Sequence, residues 1–200
     1  WRNALVFSEC VCIKRSRMTN NLRQRFRAAR RALSEDSQRE HALAVKNAIG
    51  ASSLLRQKTV VGCYLASDGE VDLGPTIELL WERKIATAVP VVHANSMTFY
   101  AYAKETDTLL SQWGIHEPIA STQIDTNDLL VVLVPLVAFT DRGQRLGRGR
   151  GYYDRVFKSS RRPILIGVAH EIQRASAFST NASDVRLDGI VSENGLIMTM

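Results

Sequence analysis

The longest apolar run of the chain, from Leu129 to Phe139, is the feature that most restricts how the chain folds. The run is too short to cross a bilayer, which takes roughly 20 consecutive apolar residues, and Pro135 interrupts it. A short apolar run of this kind is typical of a strand buried in a core. The chain has 200 residues and is 45% hydrophobic, which is enough for one domain with its own core. The run therefore predicts a buried strand and not a membrane span.

Further β-rich runs alternate with segments in which apolar residues follow a helical pattern. Strands are predicted for Thr59–Leu65, Ile85–Val92, Met97–Tyr102, Leu129–Val134 and Pro163–Ala169, with the third as a candidate edge strand. Helices are predicted from Pro75 to Lys84 and from Tyr152 to Lys158. Strands separated by helices of this length indicate an α/β fold, namely a single three-layer α/β/α domain with a mostly parallel sheet.

The segment before the first strand predicts two helices. In the first helix an apolar stripe runs beside an arginine stripe. The apolar stripe consists of Leu22, Phe26, Ala29 and Leu33, and the arginine stripe of Arg23, Arg27 and Arg30. We expect this helix to dock by its apolar face and to present its guanidinium groups along one edge. Ser34, followed by two acidic residues, is a typical start for the second helix, which we expect to run to about Gly50.

Residues 1–17 differ from the rest of the chain. They precede Met18, and Lys14, Arg15 and Arg17 follow the apolar stretch, whereas a signal peptide places positive charge before it. We expect a disordered extension or a translated upstream region here, which leaves residues 18–200 as one domain. Residues 1–31 hold nine of the 26 basic side chains and one of the 20 acidic ones. Such a basic segment could bind nucleic acid or the phosphates of a small ligand, or it could be the solvated face of a helix. Charge alone does not distinguish among these three interpretations.

Glycine and arginine alternate in the loop after the apolar strand. The glycines are Gly143, Gly147, Gly149 and Gly151, and the arginines among them are Arg145, Arg148 and Arg150. Glycines let the backbone approach a ligand closely, and successive amides can form a nest that binds anions. The loop lacks both the P-loop pattern and the dinucleotide pattern G-x-G-x-x-G. Its composition predicts a polyphosphate ligand, with a flexible exposed loop or an RNA-contacting segment as the alternatives.

Ligands of parallel α/β sheets bind where the carboxyl ends of the strands meet the loops that follow. This rule selects two loops of the predicted fold, Ser67–Asp72 and Phe139–Gly151. The histidines, by contrast, have no spacing typical of metal ligands and are interpreted as structural residues. They are His41, His93, His116 and His170.

Several further motifs occur in a fixed order along the chain. They are Leu65-Ala-Ser-Asp-Gly-Glu-Val-Asp72, Ile77-Glu-Leu-Leu-Trp-Glu-Arg-Lys84, Val89-Pro-Val-Val-His93, Ile115-His-Glu-Pro118 and Gly143-Gln-Arg-Leu-Gly-Arg-Gly-Arg-Gly-Tyr-Tyr-Asp-Arg155. As an ordered set, over roughly residues 18–194, they closely resemble the signature of the 5-formyltetrahydrofolate cyclo-ligase family, also called methenyltetrahydrofolate synthetases. The resemblance implies a ligase that converts 5-formyltetrahydrofolate and ATP into 5,10-methenyltetrahydrofolate, ADP and phosphate. Mg²⁺ is the implied cofactor, and phosphorylation of the formyl oxygen is the implied activating step.

The resemblance also assigns roles to the residues that match the family's motifs. The implied ATP-binding residues are Arg23, Arg145, Leu146, Gly147, Arg148, Gly149, Arg150, Gly151, Tyr152 and Tyr153, and among them Arg145, Arg148 and Tyr152 are the catalytic candidates. The implied folate contacts are Leu65, Glu70 and Tyr152, and the implied Mg²⁺ ligands are Asp154 and, as a second candidate, Asp188. Without the resemblance, Glu70 would be interpreted as an exposed turn residue and Asp154 as a carboxylate at a helix start.

One position departs from the family pattern. The family usually has Lys or Arg four residues before Arg23, whereas this chain has Thr19. Lys14, Arg15 or Arg17 would have to supply the corresponding phosphate contact.

Two other functions are compatible with the residues alone. One is a basic RNA-associated α/β protein that uses the arginine-rich helix and loop. The other is a different phosphate-handling α/β enzyme, such as a sugar-phosphate isomerase-like domain. The cyclo-ligase interpretation predicts a cytoplasmic monomer that acts on a reduced folate and ATP, with neither a membrane nor a nucleic acid as partner.

Overall fold

The computed structural model describes residues 18–55, 59–111, 114–119, 121–159 and 161–199, and the extension predicted for residues 1–17 lies outside them. The helices are α1 (residues 18–31), α2 (Glu35–Ala51), α3 (Gly74–Glu82) and α4 (Tyr152–Val156). The strands are β1 (Val60–Gly62), β2 (Ala86–Val92), β3 (Met97–Tyr102), β4 (Thr108–Leu110), β5 (His116–Pro118), β6 (Gln123–Ile124), β7 (Leu129–Pro135), β8 (Ala138–Phe139), β9 (Arg145–Leu146), β10 (Ile164–Val168), β11 (Gly189–Ser192) and β12 (Gly195–Met198).

Within the described residues, eight of these strands form one mixed sheet in the order β12-β11-β10-β7-β1-β2-β3-β6. The five strands from β11 to β2 are parallel to their neighbours, and β12, β3 and β6 are antiparallel additions at the two sides. Hairpins β4–β5 and β8–β9 lie outside this sheet. The prediction of an α/β fold with a mostly parallel sheet is confirmed.

Most of the long apolar run, Leu129–Pro135, forms β7, next to the centre of the sheet. Its side chains alternate between two cores: Val131 and Leu133 pack under α2 and α3, whereas Val132 and Val134 pack on the face covered by α4. All four are almost completely buried. Because β7 faces helices on both sides, it has no polar face, and this explains why its sequence is apolar without alternation.

Local signals explain where several elements begin and end. Ser34 is the N-cap of α2, and its hydroxyl accepts a hydrogen bond of 3.1 Å from the amide of Ser37. Strand β1 is shorter than predicted because the hydroxyl of Tyr64 donates to the carbonyl of Val71 at 2.8 Å, which closes the chain into a loop directly after the strand. Strand β3 is not an edge, since β6 pairs with its outer side.

Among the described residues, no helix has the length and the apolar character that a membrane crossing requires. The short strands β4, β5, β6, β8, β9, β11 and β12 had no counterpart in the sequence prediction.

Helix α1 packs by the predicted apolar stripe, but its arginines do not form a solvent-exposed row. Phe26 is buried against Val137, Ala138 and Leu146 at hairpin β8–β9. The side chain of Arg30 is completely buried.

The guanidinium group of Arg30 joins three parts of the fold. Nε donates to the carbonyl of Asp68 at 2.8 Å, Nη2 to the carboxylate of Asp68 at 2.7 Å, and Nη1 to the carbonyl of Leu136 at 3.0 Å. Nη2 also lies 3.6 Å from the carboxylate of Glu70. A buried charge is tolerated only when it is paired and its hydrogen bonds are satisfied, which is the situation of Arg30.

We expect Arg30→Met to lower the free energy of unfolding by about 3–5 kcal/mol, because the substitution leaves Asp68 and Glu70 with less compensation in a buried setting. Urea unfolding at neutral pH measures the change. Arg39→Met is the matched control: Arg39 is also on a helix, but its partners Glu35 and Asp36 are exposed, and its loss should cost at most about 1 kcal/mol. Equal losses in the two variants would contradict this account of Arg30.

Candidate functional site

A cavity of about 1300 Å³ opens at the carboxyl ends of β1, β2 and β7. Tyr64 and Leu65 follow β1, Val92 ends β2, and Pro135 ends β7, and all of them line the cavity. The loop between β9 and α4 forms the opposite wall. Both loops selected from the sequence therefore contribute to one cavity at the predicted edge of the sheet.

The glycine loop approaches its neighbours closely through its backbone. Gly149 has a φ of 96°, in a region that favours glycine, and a Cβ there would lie 3.6 Å from Cζ of Arg23. The Nε of Arg23 donates to the carbonyl of Gly147 at 2.9 Å, so α1 reaches across to the loop as the sequence suggested. Helix α4 has only five residues, which leaves the arginines as the main source of positive charge.

Arg145 lies deep in the wall of the cavity, with 8% of its surface exposed. Its Nη2 pairs with Oδ1 of Asp154, while its buried Nε finds no acceptor among the described residues. The buried hydroxyl of Tyr153 also lacks a hydrogen-bond partner there, and burial raises the pKa of Tyr153, which keeps the phenol protonated. Buried polar groups without partners are costly, so these two donors favour an anionic or oxygen-rich ligand in the cavity.

Arg148 connects the two walls of the cavity. Its Nη2 donates to Oε1 of Glu70 at 2.9 Å and to the hydroxyl of Ser67 at 2.7 Å. The other oxygen of Glu70 accepts a hydrogen bond from the amide of Ser67 at 3.2 Å. Burial raises the pKa of Glu70, and the neighbouring Arg148 and Arg30 oppose that rise. Glu70 is therefore a buried carboxylate in an arginine network and not an exposed turn residue.

Asp68, two residues before Glu70, ties the loop after β1 to helix α1. Its backbone has a φ of 60°, and its carboxylate pairs with Arg27 at 2.8 Å, with Arg30 at 2.7 Å and with Arg31. Partial burial alone would raise the pKa of Asp68, but the hydrogen bonds from the three arginines outweigh it and lower the pKa from 3.8 to about 2. The sequence analysis did not single out Asp68. The available signals were its position next to the turn residue Gly69 and the stripe of arginines on the first helix, which needs acidic partners.

The remaining site residues named from the resemblance divide into those at the cavity and one elsewhere. Asp154 lines the cavity, and its Oδ1 accepts hydrogen bonds from Arg145 and from the amide of Val185. Asp188 is not among the lining residues; its carboxylate accepts from Arg162 and, at 2.8 Å, from the amide of Leu165. The structure does not bring the two aspartates together, and Asp188 anchors the start of β11 to β10.

Every other residue named for ATP or folate binding lies at the cavity. They are Arg23, Leu65, Glu70, Arg145, Leu146, Gly147, Arg148, Gly149, Arg150, Gly151, Tyr152 and Tyr153. Thr19, the departure from the family pattern, lines the cavity as well. Sequence reasoning missed the wall formed by residues 179–181 with Ser183 and Asp184, which has hydroxyl, amide and carboxylate groups but no distinctive pattern.

The residues around Asp154 suit a Mg²⁺ ion that is held mainly by the phosphates of a bound substrate and by water. Oδ2 of Asp154 accepts no hydrogen bond from the described residues, and no group of three potential metal ligands includes Asp154 within this part of the chain. Mg²⁺ commonly takes one or two carboxylates together with water and substrate phosphates. A single available carboxylate oxygen beside arginines suits that mode and does not suit a metal cage made of protein alone.

Comparisons with known proteins agree with one another. A model of the 5-formyltetrahydrofolate cyclo-ligase family matches residues 15–193. The 5-formyltetrahydrofolate cyclo-ligase of Escherichia coli (strain K12) is 30% identical over 178 residues, covering 84% of this chain and 96% of that protein. The structure of the 5,10-methenyltetrahydrofolate synthetase of Aquifex aeolicus has a TM-score of 0.80 and 28% identity, covering 90% of this chain and 92% of that one. For the Mycoplasma pneumoniae synthetase the TM-score is 0.72 at 25% identity, covering 88% and 98%.

The sheet and the cavity at its carboxyl edge define an α/β enzyme with an arginine-rich cavity. The family match extends over most of the described residues and includes both walls of the cavity. The chain belongs to the 5-formyltetrahydrofolate cyclo-ligase family, whose named members are ligases. The resemblance inferred from the ordered sequence motifs is thereby confirmed.

We expect Asp68→Asn to lower the free energy of unfolding at neutral pH, because Arg30 loses its charged partner. The pKa of Asp68 is lower in the folded protein than its ordinary value, so its contribution is present above pH 3.8 and is lost as the pH falls towards 2. Urea unfolding from pH 7 downwards should show the two proteins converging in that acidic range. Asp36→Asn, which affects an exposed ion pair, is the control. A difference between Asp68→Asn and the unchanged chain that stays constant down to the lowest folded pH would contradict the mechanism.

Proposed function

We propose that the protein converts 5-formyltetrahydrofolate and ATP into 5,10-methenyltetrahydrofolate, ADP and phosphate. The formyl oxygen on N5 attacks the γ-phosphorus of ATP, and ADP leaves. N10 then attacks the activated formyl carbon and loses its proton, and the C–O bond breaks as phosphate departs. The names of the relatives support the substrate and the product.

The observation that carries the proposal is that the lining of one cavity consists of two unlike sets of side chains. One set is the glycine loop with Arg23, Arg145 and Arg148, which suits a polyphosphate. The other set consists of apolar side chains suited to the rings of a folate. These are Leu65, Pro90, Val92, Met97 and Ile115. A reaction between a polyphosphate and a folate requires both sets within one cavity.

Phosphoryl transfer needs positioning and neutralisation of charge more than a protein nucleophile. Arg145 and Arg148 lie on the glycine loop and are assigned to the transferred phosphate, where guanidinium groups stabilise the charge that develops in the transition state. Arg145 lines the cavity, and its buried Nε has no acceptor among the described residues, which supports this role because the group retains a donor that the protein itself does not use.

Glu70 and Tyr152 are assigned to the folate. The carboxylate of Glu70 is held by Ser67 and Arg148 at the carboxyl end of β1, where it can accept hydrogen bonds from the N–H groups of the pterin ring. The hydroxyl of Tyr152 lies 3.3 Å from the carbonyl of His93, and Arg155 lies over its ring at 5.0 Å. This arrangement fixes the ring of Tyr152 in the wall of the cavity.

Asp154 is assigned to Mg²⁺, which would supply charge neutralisation and orientation of the phosphates. Arg145 fixes the orientation of this carboxylate through Oδ1, as does the amide of Val185 at 2.9 Å.

Two of the three loop arginines argue against the RNA-binding alternative, whereas the third, Arg150, is exposed. Arg145 is buried against Asp154, and Arg148 donates into the cavity to Glu70 and Ser67. Contacts with the phosphates of an RNA need guanidinium groups presented on an accessible surface.

The direct test is to incubate the purified chain with 5-formyltetrahydrofolate and MgATP and to follow the absorbance of the methenyl product. We expect product to form together with one ADP per folate, and we expect no product when ATP is left out. A folded protein that forms no methenyl product under these conditions would overturn the proposed function.

Two aspartate variants test the assignment of the metal. We expect Asp154→Asn to lower kcat by roughly 100-fold or more, because an interaction specific to the charged transition state is removed, while folate binding is retained. Asp188→Asn is the matched control, since its carboxylate binds Arg162 and Leu165 outside the cavity. That variant should lose stability and keep its kcat. Turnover in Asp154→Asn that equals the unchanged chain would refute the role of Asp154.

A further inference from the structure

A second cluster of polar side chains lies outside the cavity, under the loop that bears Glu70. It consists of His41 on α2, His170 directly after β10, and Glu193 in the turn between β11 and β12. None of the three lines the cavity. Of all the described residues, they form the one group whose His, Cys, Asp or Glu ligand atoms are close enough to share a metal ion, within 4.8 Å of one another.

We propose that His41, His170 and Glu193 bind one divalent transition-metal ion, with Zn²⁺ as the preferred ion. Nδ1 of His41 lies 2.8 Å from Nδ1 of His170 and 3.6 Å from Oε1 of Glu193. With bonds of about 2.0–2.1 Å, two ligand atoms of a tetrahedral Zn²⁺ site are roughly 3.3 Å apart. These two separations lie on either side of that value, and all three donor atoms lie within 4.8 Å of one another, so side-chain rotations would bring the three donors onto one ion.

The proton position on His170 also suits a metal. Nε2 of His170 lies 3.2 Å from the carbonyl of Gly69, and since a carbonyl only accepts, Nε2 carries the proton. The lone pair of a neutral His170 is then on Nδ1, where it accepts a hydrogen bond from Nδ1 of His41 at 2.8 Å, and the proton of His41 Nδ1 is released or moves to Nε2 when a metal binds. A ligand histidine whose other nitrogen donates to a backbone carbonyl is the usual arrangement in zinc sites.

Glu193 is oriented as well. Oε2 of Glu193 accepts a hydrogen bond of 2.9 Å from the amide of Glu171, which leaves Oε1 directed at His41. The backbone of His170 is held in turn, because its amide donates to the side chain of the buried Gln173 at 2.9 Å. His170 is completely buried, whereas the side chains of His41 and Glu193 are 18% and 20% exposed. An ion therefore has a path from solvent to a site that is formed in advance.

The ligand set selects the kind of ion. Two imidazoles and one carboxylate suit Zn²⁺ in a tetrahedral site, which Co²⁺ can also occupy, whereas Mg²⁺ prefers oxygen ligands. Three protein ligands leave a fourth position for water. The site joins α2, β10 and the turn between β11 and β12, and through Gly69 it adjoins the loop that bears Asp68 and Glu70. A bound ion would therefore stabilise the elements that lie under the Asp68–Glu70 loop, which is part of the cavity wall, and this effect does not depend on the proposed reaction.

The test uses the full chain after treatment with a chelator. Calorimetric titration with Zn²⁺ should give about one ion per chain, and millimolar Mg²⁺ should leave that binding unchanged. Free Zn²⁺ at 100 times Kd should raise Tm by roughly 5–10 °C. Co²⁺ should give the visible spectrum of a tetrahedral site without the near-ultraviolet band of a cysteine thiolate.

Variants identify the ligands. His41→Gln and Glu193→Gln, both at partly exposed positions, should each weaken Zn²⁺ binding by at least roughly 10-fold. His93→Gln removes an exposed histidine elsewhere and should bind Zn²⁺ normally, as should Asp154→Asn. Failure of the unchanged chain to bind stoichiometric Zn²⁺, or equal binding by both cluster variants, would overturn the proposal. A thiolate band with Co²⁺ would also overturn it, because the ion would then be bound by cysteine.

Discussion

The buried ion pair between Arg30 and Asp68 is the interaction on which the arrangement of the cavity depends. The guanidinium group spans α1, the loop after β1 and the segment after β7, and these elements are far apart in sequence. Each of its three nitrogens donates a hydrogen bond within the protein, and such pairing is the condition under which a buried arginine is tolerated. Because Asp68 is held in this way, Glu70 is fixed two residues later at the edge of the cavity, and the glycine loop gains a partner for Arg148.

The charges in the cavity are paired within the protein. Arg148 is bound to Glu70, and Arg145 is bound to Asp154, so a polyphosphate ligand competes with two carboxylates for the same guanidinium groups. Under the proposed function this competition links the two substrates. When phosphate takes over Arg148, the carboxylate of Glu70 gains capacity to accept hydrogen bonds from the folate. The affinity for one substrate is then expected to depend on whether the other is bound, since Arg148 and Glu70 interact with each other and with both substrates.

The parts of the fold that the sequence predicted are those with a strong local pattern. The apolar run of β7, the capping serine of α2 and the proline that opens α3 each indicate an element through a few neighbouring residues. Strands of two to four residues, such as β6 and β11, are too short to have a period, and only pairing with a neighbour defines them. In the candidate site, too, the role of a residue depends on contacts that are distant in sequence, as two aspartates illustrate. Asp154 and Asp188 each lie within a few residues of arginines, and only the distance to the cavity distinguishes them.

The histidines show why spacing rules fail for some sites. His41 and His170 are separated by 129 residues, so no local ligand pattern relates them. In a parallel sheet, each strand begins again at the same edge after a crossover, and residues at the carboxyl ends of neighbouring strands meet whatever their separation in sequence. His170 follows β10 at that edge, and the loop after β1 extends over it as far as Gly69. The topology that assembles the cavity from distant loops therefore also assembles the metal-ligand cluster beside it.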